Sequence, residues 1–248
     1  YEEVRTRMGA LRMARVLTLK RSGRPAAWQT TVSWRQNRDD YVFIRHAPEI
    51  YRNLHTSDVA GVESTLRIPG LKAGRTGRET LVGLDVRSTW FTSTNLGTRE
   101  RQSLTLFAER QASFADDRLH VTSGAALWTA NDLGAVVLPG VDASWSGSRG
   151  RTFFASWGLT SRVPTYTDLY YTDPVNLGNP DLRPERASTF EAGIRMVREP
   201  GSRGGELRMQ ANLFHRASRN LIDWSRADAA SPWKPENLLR TTTLGVET

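Results

Sequence analysis

The sequence contains no cysteine among its 248 residues, so a disulfide scaffold, a thiolate metal site and a thiol nucleophile are all excluded. Lysine is scarce as well. It occurs only at Lys20, Lys72 and Lys234, so arginine supplies nearly all of the formal net charge of +8. No apolar run approaches the roughly 18 residues of a membrane-spanning helix, and the mean hydropathy is −0.49. These absences exclude helical spans alone, because a transmembrane barrel turns only alternate side chains to lipid and can match a water-soluble protein in average hydropathy. There is no Gly-x-Ser-x-Gly elbow for a nucleophilic serine. His46, His55, His120 and His215 lie far apart without metal-ligand spacing. The four histidines are read as loop or lumen residues, and nothing indicates an enzyme, a catalytic residue, a metal site or a cofactor.

A basic balance invites a nucleic-acid reading, but a phosphate-tracking surface needs clustered cations. Here the arginines are spread along the chain and interleaved with acids, as in Arg99-Glu100-Arg101 and Arg183-Pro184-Glu185-Arg186. Nucleic acid is therefore not an expected partner.

What the chain does have is alternation with period two, the signature of strands with unlike faces. Val82, Leu84, Val86, Ser88 and Trp90 oppose Gly83, Asp85, Arg87 and Thr89. Trp28, Thr30, Val32 and Trp34 oppose Gln29, Thr31, Ser33 and Arg35, and Phe153, Ala155, Trp157 and Leu159 oppose Phe154, Ser156, Gly158 and Thr160 less cleanly. Further on, Phe190, Ala192, Ile194 and Met196 face away from Thr189, Glu191, Gly193 and Arg195, as Leu207, Met209, Ala211 and Leu213 do from Arg208, Gln210 and Asn212. Turn-forming stretches separate these runs at residues 21–25, 72–77, 115–117, 146–150 and 199–205. About a dozen strands in an up-and-down antiparallel meander are expected, with no composition shift to mark a second domain.

Two architectures accommodate such a meander, a soluble sandwich or barrel and an outer-membrane barrel. Soluble strands usually run roughly five or six residues, whereas several runs here alternate for about ten, near the roughly 9 to 11 needed to cross hydrocarbon at a tilt. Length favours the membrane. The bulky charges Arg87, Glu191, Arg195 and Arg208 suit a water-filled lumen, while Trp28, Trp34, Trp90, Trp145 and Trp157 share the apolar face, where aromatics form interfacial girdles.

The long turn-rich segment after Ser161 carries the motifs. It reads Arg162-Val163-Pro164-Thr165-Tyr166-Thr167-Asp168-Leu169-Tyr170-Tyr171, then Gly178-Asn179-Pro180-Asp181-Leu182-Arg183-Pro184-Glu185, then a strand with Glu191-Ala192-Gly193. Pro164, Pro174, Pro180 and Pro184 remove backbone donors and argue against an interior strand, and Asn179-Pro180-Asp181 promotes a turn. Tyr166, Tyr170 and Tyr171 offer rigid aromatic surface with a polar tip, suited to gripping a ligand or to packing a loop. Asp168, Asp181 and Glu185 are placed to orient neighbouring arginines.

About thirty-five contiguous residues of this segment resemble the C-terminal part of TonB-dependent outer-membrane receptors, where R-x-P-T-x-x-E/D-L-Y precedes G-N-P-x-L-x-P-E and a strand bearing E-x-G. The matching residues are Arg162, Pro164, Thr165, Leu169, Gly178, Asn179, Pro180, Leu182, Pro184, Glu185, Glu191 and Gly193. Downstream, Asn220-Leu221-Ile222-Asp223-Trp224 and the run from Asn237 to Glu247 resemble that family's next hairpin, whose second strand carries G-V-E. The resemblance implies an all-β, antiparallel transmembrane barrel in the bacterial outer membrane. It also implies active uptake of a bulky, scarce nutrient such as a siderophore or cobalamin, driven by the TonB complex. Expected partners are outer-membrane lipid, the nutrient, and TonB through an N-terminal segment missing here.

Residues 1–248 are read as one partial barrel domain, with the plug domain and terminal strands absent, since no plug or coupling segment precedes Tyr1 and no terminal aromatic residue follows Thr248. By resemblance the full barrel has about twenty-two strands, of which this piece supplies roughly half. Tyr166, Asp168, Tyr170, Tyr171 and Asn176 are the candidate ligand-binding residues of an extracellular loop. The same pattern also accommodates two alternatives: a soluble all-β binding module for polyanions or glycans, and a self-contained barrel of about twelve strands whose first and last strands pair.

Overall fold

A computed structural model of the chain describes residues 1–20, 23–70, 78–198 and 205–248. Strands β1 (Glu2–Thr18), β2 (Pro25–Val42), β3 (Arg52–Pro69), β4 (Arg78–Ser93) and β5 (Gly97–Phe114) follow one another through short connections. Next come β6 (Leu119–Ala130), β7 (Gly134–Ser146) and β8 (Arg151–Arg162). A non-sheet excursion carries helix α1 (Tyr166–Tyr170) and the two-residue strands β9 (Thr172–Asp173) and β10 (Asn176–Leu177). The chain then returns through β11 (Glu185–Arg198), β12 (Leu207–Ser225) and β13 (Lys234–Glu247).

Eleven of these strands form one antiparallel sheet in chain order, except that β8 pairs with β11 across the excursion. The meander is the one expected. Its strands run from 12 residues in β6 and β8 to 19 in β12, longer than the roughly ten that alternation suggested, because they continue past the span that needs an apolar face. β1 and β13 form the two edges, and no pairing closes them among the described residues, so the self-contained barrel is not what the sheet forms.

Register turns the alternation of single strands into continuous lateral rows. Val32 faces Val62, which faces Val86, which faces Leu104. Leu84, Leu106, Leu127 and Val137 make a second row across β4 to β7. These side chains are not packed against one another in a dry centre. Leu106 is 43% exposed, Leu127 40% and Val137 58%, and no second layer covers them among the described residues. Buried apolar residues are few and mostly small or near the strand ends, as with Ala26, Val42, Leu96, Ala130 and Leu169. A soluble sandwich would bury such rows in its core, at about 25 cal/mol per Å² of apolar surface; this sheet presents them outward, as a lipid-facing wall does. Trp90 lies toward the loop-bearing end of that face, and Trp28 and Trp145 lie toward the other.

The opposite face is polar but carries phenylalanines, and register explains why. Gly83 faces Phe107, Gly193 faces Phe154, and Gly245 faces Phe214. In each pair the ring occupies the space a side chain on the glycine would need, so the aromatic lies flat against the neighbouring backbone. This accounts for the less clean alternation in β8. One histidine corrects the sequence reading: His215 is exposed on the apolar face, between Phe190 and Leu244, rather than in a loop or the lumen. Periodicity places it there, since it shares the parity of Leu213.

The expected turns at 115–117 and 146–150 join β5 to β6 and β7 to β8. Ala115, Asp116 and Asp117 adopt φ of 54, 55 and 62°, and Arg149 and Gly150 adopt 57 and 67°, the left-handed region that reverses a hairpin. The turns expected at 72–77 and 199–204, and residues 21 and 22 of the first, lie outside the described residues.

Candidate functional site

The excursion between β8 and β11 occupies one end of the sheet, and its folding follows from its residue types. Thr165 has an extended backbone with φ −75° and ψ 162°, and its hydroxyl accepts a hydrogen bond from the Asp168 backbone N–H at 3.1 Å. Asp168 Oδ2 in turn accepts from the Thr165 N–H at 3.0 Å. This reciprocal capping box satisfies the first donors of a helix only five residues long. The buried Pro164 precedes it and presents no backbone donor to be satisfied.

Arg162 closes the base of the loop. Its guanidinium donates to Glu185 Oε1 at 2.5 Å and stands 3.8 Å from Asp168. Glu185 Oε1 also accepts from the Ile222 backbone N–H at 2.7 Å. Two of the three acids expected to orient an arginine therefore do so. Asp181 does not: it forms no ion pair among the described residues, and its N–H donates to Asn179 Oδ1 at 3.2 Å. It is exposed in the turn that Asn179-Pro180 initiates.

Leu169, Leu182 and Ile222 make a small apolar core, with Tyr166 and Tyr170 packed against it. Gly178 is buried where a side chain would meet the Tyr170 nitrogen at 2.7 Å, and its N–H donates to the Tyr171 carbonyl at 2.6 Å. Asn179 donates from its backbone to the Asp168 carbonyl at 2.9 Å and from its side chain to the Pro235 carbonyl at 3.0 Å. Asn237 stitches the far side, accepting from the Arg183 N–H and donating to the Arg183 and Asn220 carbonyls at 2.8–2.9 Å. Trp233 pairs through its backbone with Val175 and Leu177. Of the motif residues, Leu169, Asn179, Leu182 and Glu185 thus hold the loop to β12 and β13. Glu191 and Gly193 lie further down β11, where Glu191 accepts from the Asn212 side chain at 2.8 Å.

The loop also reaches sideways over the polar face. His55 stacks on Phe91 with ring centroids 5.7 Å apart, Phe91 on Tyr166 at 5.2 Å, and Tyr166 on Tyr170 at 6.3 Å. The Arg99 guanidinium lies 3.8 Å from the Tyr170 ring centroid, and Arg101 lies 5.1 Å from that of Tyr166 while donating to Asp132 at 2.8 Å. Burial pushes the Tyr166 hydroxyl above its ordinary pKa, against the pull of Arg101. That hydroxyl has no partner among the described residues. Tyr171 donates to Asp173 at 3.0 Å, and the Tyr51 hydroxyl beside it raises its pKa first, with burial and Asp173 adding to the effect. Asp173 accepts from the Val175 N–H and from the backbone and side chain of Asn176 at 2.7–3.0 Å.

Of the five candidate ligand residues, Asp168 is buried within the loop, whereas Tyr166, Tyr170, Tyr171 and Asn176 are half-buried, Tyr166 with its hydroxyl enclosed. Sequence reading missed the residues that meet them from elsewhere in the sheet: Tyr51 just before β3, Phe91 on β4 with His55 stacked behind it, and Arg99 and Arg101 on β5. Only register brings these together, although the placement of Arg99 and Arg101 on one strand parity was available. The arrangement offers aromatic faces, guanidinium and carboxylate, suited to stacking and hydrogen bonding. Among the described residues no group of three or more histidine, aspartate or glutamate side chains gathers as a metal site.

Comparison with known proteins gives concordant findings. A family model described as TonB dependent receptor-like, beta-barrel, matches residues 16–248. The vitamin B12 transporter BtuB of Vibrio vulnificus strain YJ016 is 30% identical over 95 residues, 38% of this chain and 14% of that protein. Among solved structures, the hemophore receptor HasR of Serratia marcescens, in complex with its hemophore HasA and heme, superposes with a TM-score of 0.79 at 14% identity, covering 99% of this chain and 46% of that one. The ferric enterobactin receptor PfeA of Pseudomonas aeruginosa, in complex with enterobactin, superposes with a TM-score of 0.77 at 13% identity, covering 98% and 41%. The chain spans less than half the length of each of these proteins, and at such identities the superpositions establish the fold. With the family model matched over nearly its whole length, the chain belongs to the TonB-dependent receptor-like β-barrel family, transport receptors of the Gram-negative outer membrane.

Proposed function

We propose that this chain is part of the barrel wall of a receptor that takes up a bulky, scarce nutrient by TonB-coupled active transport. In this reading residues 1–248 are a partial barrel domain, completed by a plug, further strands and an N-terminal segment that engages TonB. The nutrient is a siderophore, a cobalamin or a molecule of similar bulk. The observation that carries the proposal is the folded 163–184 loop, which sets tyrosines and arginines over the polar face of a sheet whose other face is greasy. Lipid covers one side of that wall and the solute passes along the other. Tyr170, Tyr171 and Asn176 touch the ligand at the extracellular end, and Tyr166 and Asp168 keep the loop in shape for them. Large aromatic surfaces with few rotatable bonds hold a bulky solute at low entropic cost.

The test is binding of heme, ferric enterobactin and cyanocobalamin to the intact receptor in detergent, followed by fluorescence quenching. One of these or a close relative is expected to bind, and the pair Tyr170→Ala with Asn176→Ala is expected to weaken it about tenfold or more while heat-modifiable gel mobility is unchanged. Equal binding by parent and variant removes the loop from the site. Refolding of the receptor as a soluble monomer without amphiphile would overturn the whole reading.

A further inference from the structure

On the apolar face, at the end that bears the loop, three arginines stand side by side on adjacent strands. Arg186 of β11 faces Arg219 of β12, which faces Arg240 of β13. All three side chains are exposed. Residues directly opposite on antiparallel strands have Cβ atoms about 4.5–5.5 Å apart, where like charges repel. Nothing among the described residues relieves this. The three guanidiniums form no ion pair or hydrogen bond among the described residues. Glu185 points to the other face and is taken by Arg162. Outward-facing Asp223 and Glu236 pair with each other across the strands four residues further on. By contrast, the cross-strand pair Arg5 and Arg38 on the same face has Glu3 bound to Arg5.

The depth of the row identifies what can supply the missing charge. Moving along the strands from the arginines, the next outward row is Ser188, Ala217 and Thr242, and the one after is Phe190, His215 and Leu244. Phe190 is 48% and Leu244 75% exposed, which marks the margin of the lipid-facing surface. Four residues along a strand at about 3.3 Å each, tilted by about 45°, raise the arginines roughly 9 Å above that margin. The polar zone of each leaflet is roughly 5–8 Å thick, so the arginine backbones stand at its outer edge, from which side chains this long bend back to bring their guanidiniums to headgroup level. The small side chains of Ser188, Ala217 and Thr242 leave room beneath them for the start of an acyl chain.

We propose that Arg186, Arg219 and Arg240 bind the phosphate monoester of an anionic membrane lipid, held by forked guanidinium hydrogen bonds from neighbouring strands. The site depends on the barrel wall facing lipid and is independent of which solute is transported.

Native mass spectrometry of the detergent-solubilised receptor tests it, with phosphatidic acid and phosphatidylcholine of identical acyl chains as probes and inorganic phosphate as competitor. The parent protein is expected to retain phosphatidic acid in preference. That preference should fall about fivefold for Arg219→Gln alone and about a hundredfold when all three are glutamine. Arg87→Gln, on the opposite face, should leave it unchanged. Equal retention of the two lipids by the parent, or an undiminished preference in Arg219→Gln protein that keeps heat-modifiable mobility, would overturn the site. Displacement by millimolar phosphate as effective as that by lipid would show a free-anion site and overturn the lipid assignment.

Discussion

Arg162 ties two carboxylates to one guanidinium, and Glu185 uses the same oxygen to satisfy the Ile222 backbone N–H. Removing that acceptor leaves a buried donor unpaired. Since Arg162 is about half exposed, solvent offsets part of the loss, and Glu185→Ala is expected to cost about 1–3 kcal/mol of local stability. Hydrogen exchange at Leu169 and Ile222 checks this: protection should drop at both, with strand β4 unaffected. Asp173 gives a pH dependence. Hydrogen bonds from Asn176 and the Val175 N–H hold its carboxyl below the ordinary value. A carboxylate whose folded pKa is lowered contributes in full above its unfolded value of about 4 and loses that contribution as pH falls through the lowered value. A spin label at Thr172 should accordingly stay immobile down to about pH 4 and loosen only below it, a step that Asp173→Asn should abolish. No step in the parent would show that the turn is held without this carboxylate.

The flat-lying phenylalanines give the strands a second kind of specificity beyond alternation. A side chain at Gly193 would meet the Ala211 carbonyl and the Phe154 ring, both at 2.5 Å, whereas one at Gly158 has nothing nearer than the Pro139 carbonyl at 3.7 Å. Gly193→Ala is therefore expected to cost about 2 kcal/mol or more, and Gly158→Ala less than about 1 kcal/mol. Urea unfolding in a fixed detergent compares them, and equal midpoints would contradict the packing. Alternation was legible in the sequence because a strand's faces repeat every second residue, and so was the loop, through its prolines and the Thr165–Asp168 spacing. The partners of each phenylalanine were not, because register between strands is a long-range property. The same reason hid Phe91, Arg99 and Tyr51 from the candidate site, while Leu182 and Asn179 were visible through the motif they share.

For the molecule as a wall between lipid and water, one swap of neighbouring residues is decisive. Leu106 lies in the outward row with Leu84 and Leu127, and Thr105 beside it points to the polar face opposite Asp85. Leu106→Arg should destabilise the folded barrel by about 2–4 kcal/mol near the bilayer midplane, while Thr105→Arg should be tolerated. Folding efficiency into vesicles of one lipid composition reads both, and a reversed order would mean that the faces have been assigned the wrong way round.

The excursion from β8 runs across to Phe91 on β4, on which His55 of β3 stacks in turn, before returning to β11. It is a chord drawn over an arc, and a chord of fixed length sets the arc's radius. Curvature at that rim is thereby held by aromatic stacking across strands distant in order, while at the opposite rim the described connections are short turns that set no such distance. Deformation of the wall should accordingly concentrate at the end without the chord, with the loop-bearing mouth keeping its shape.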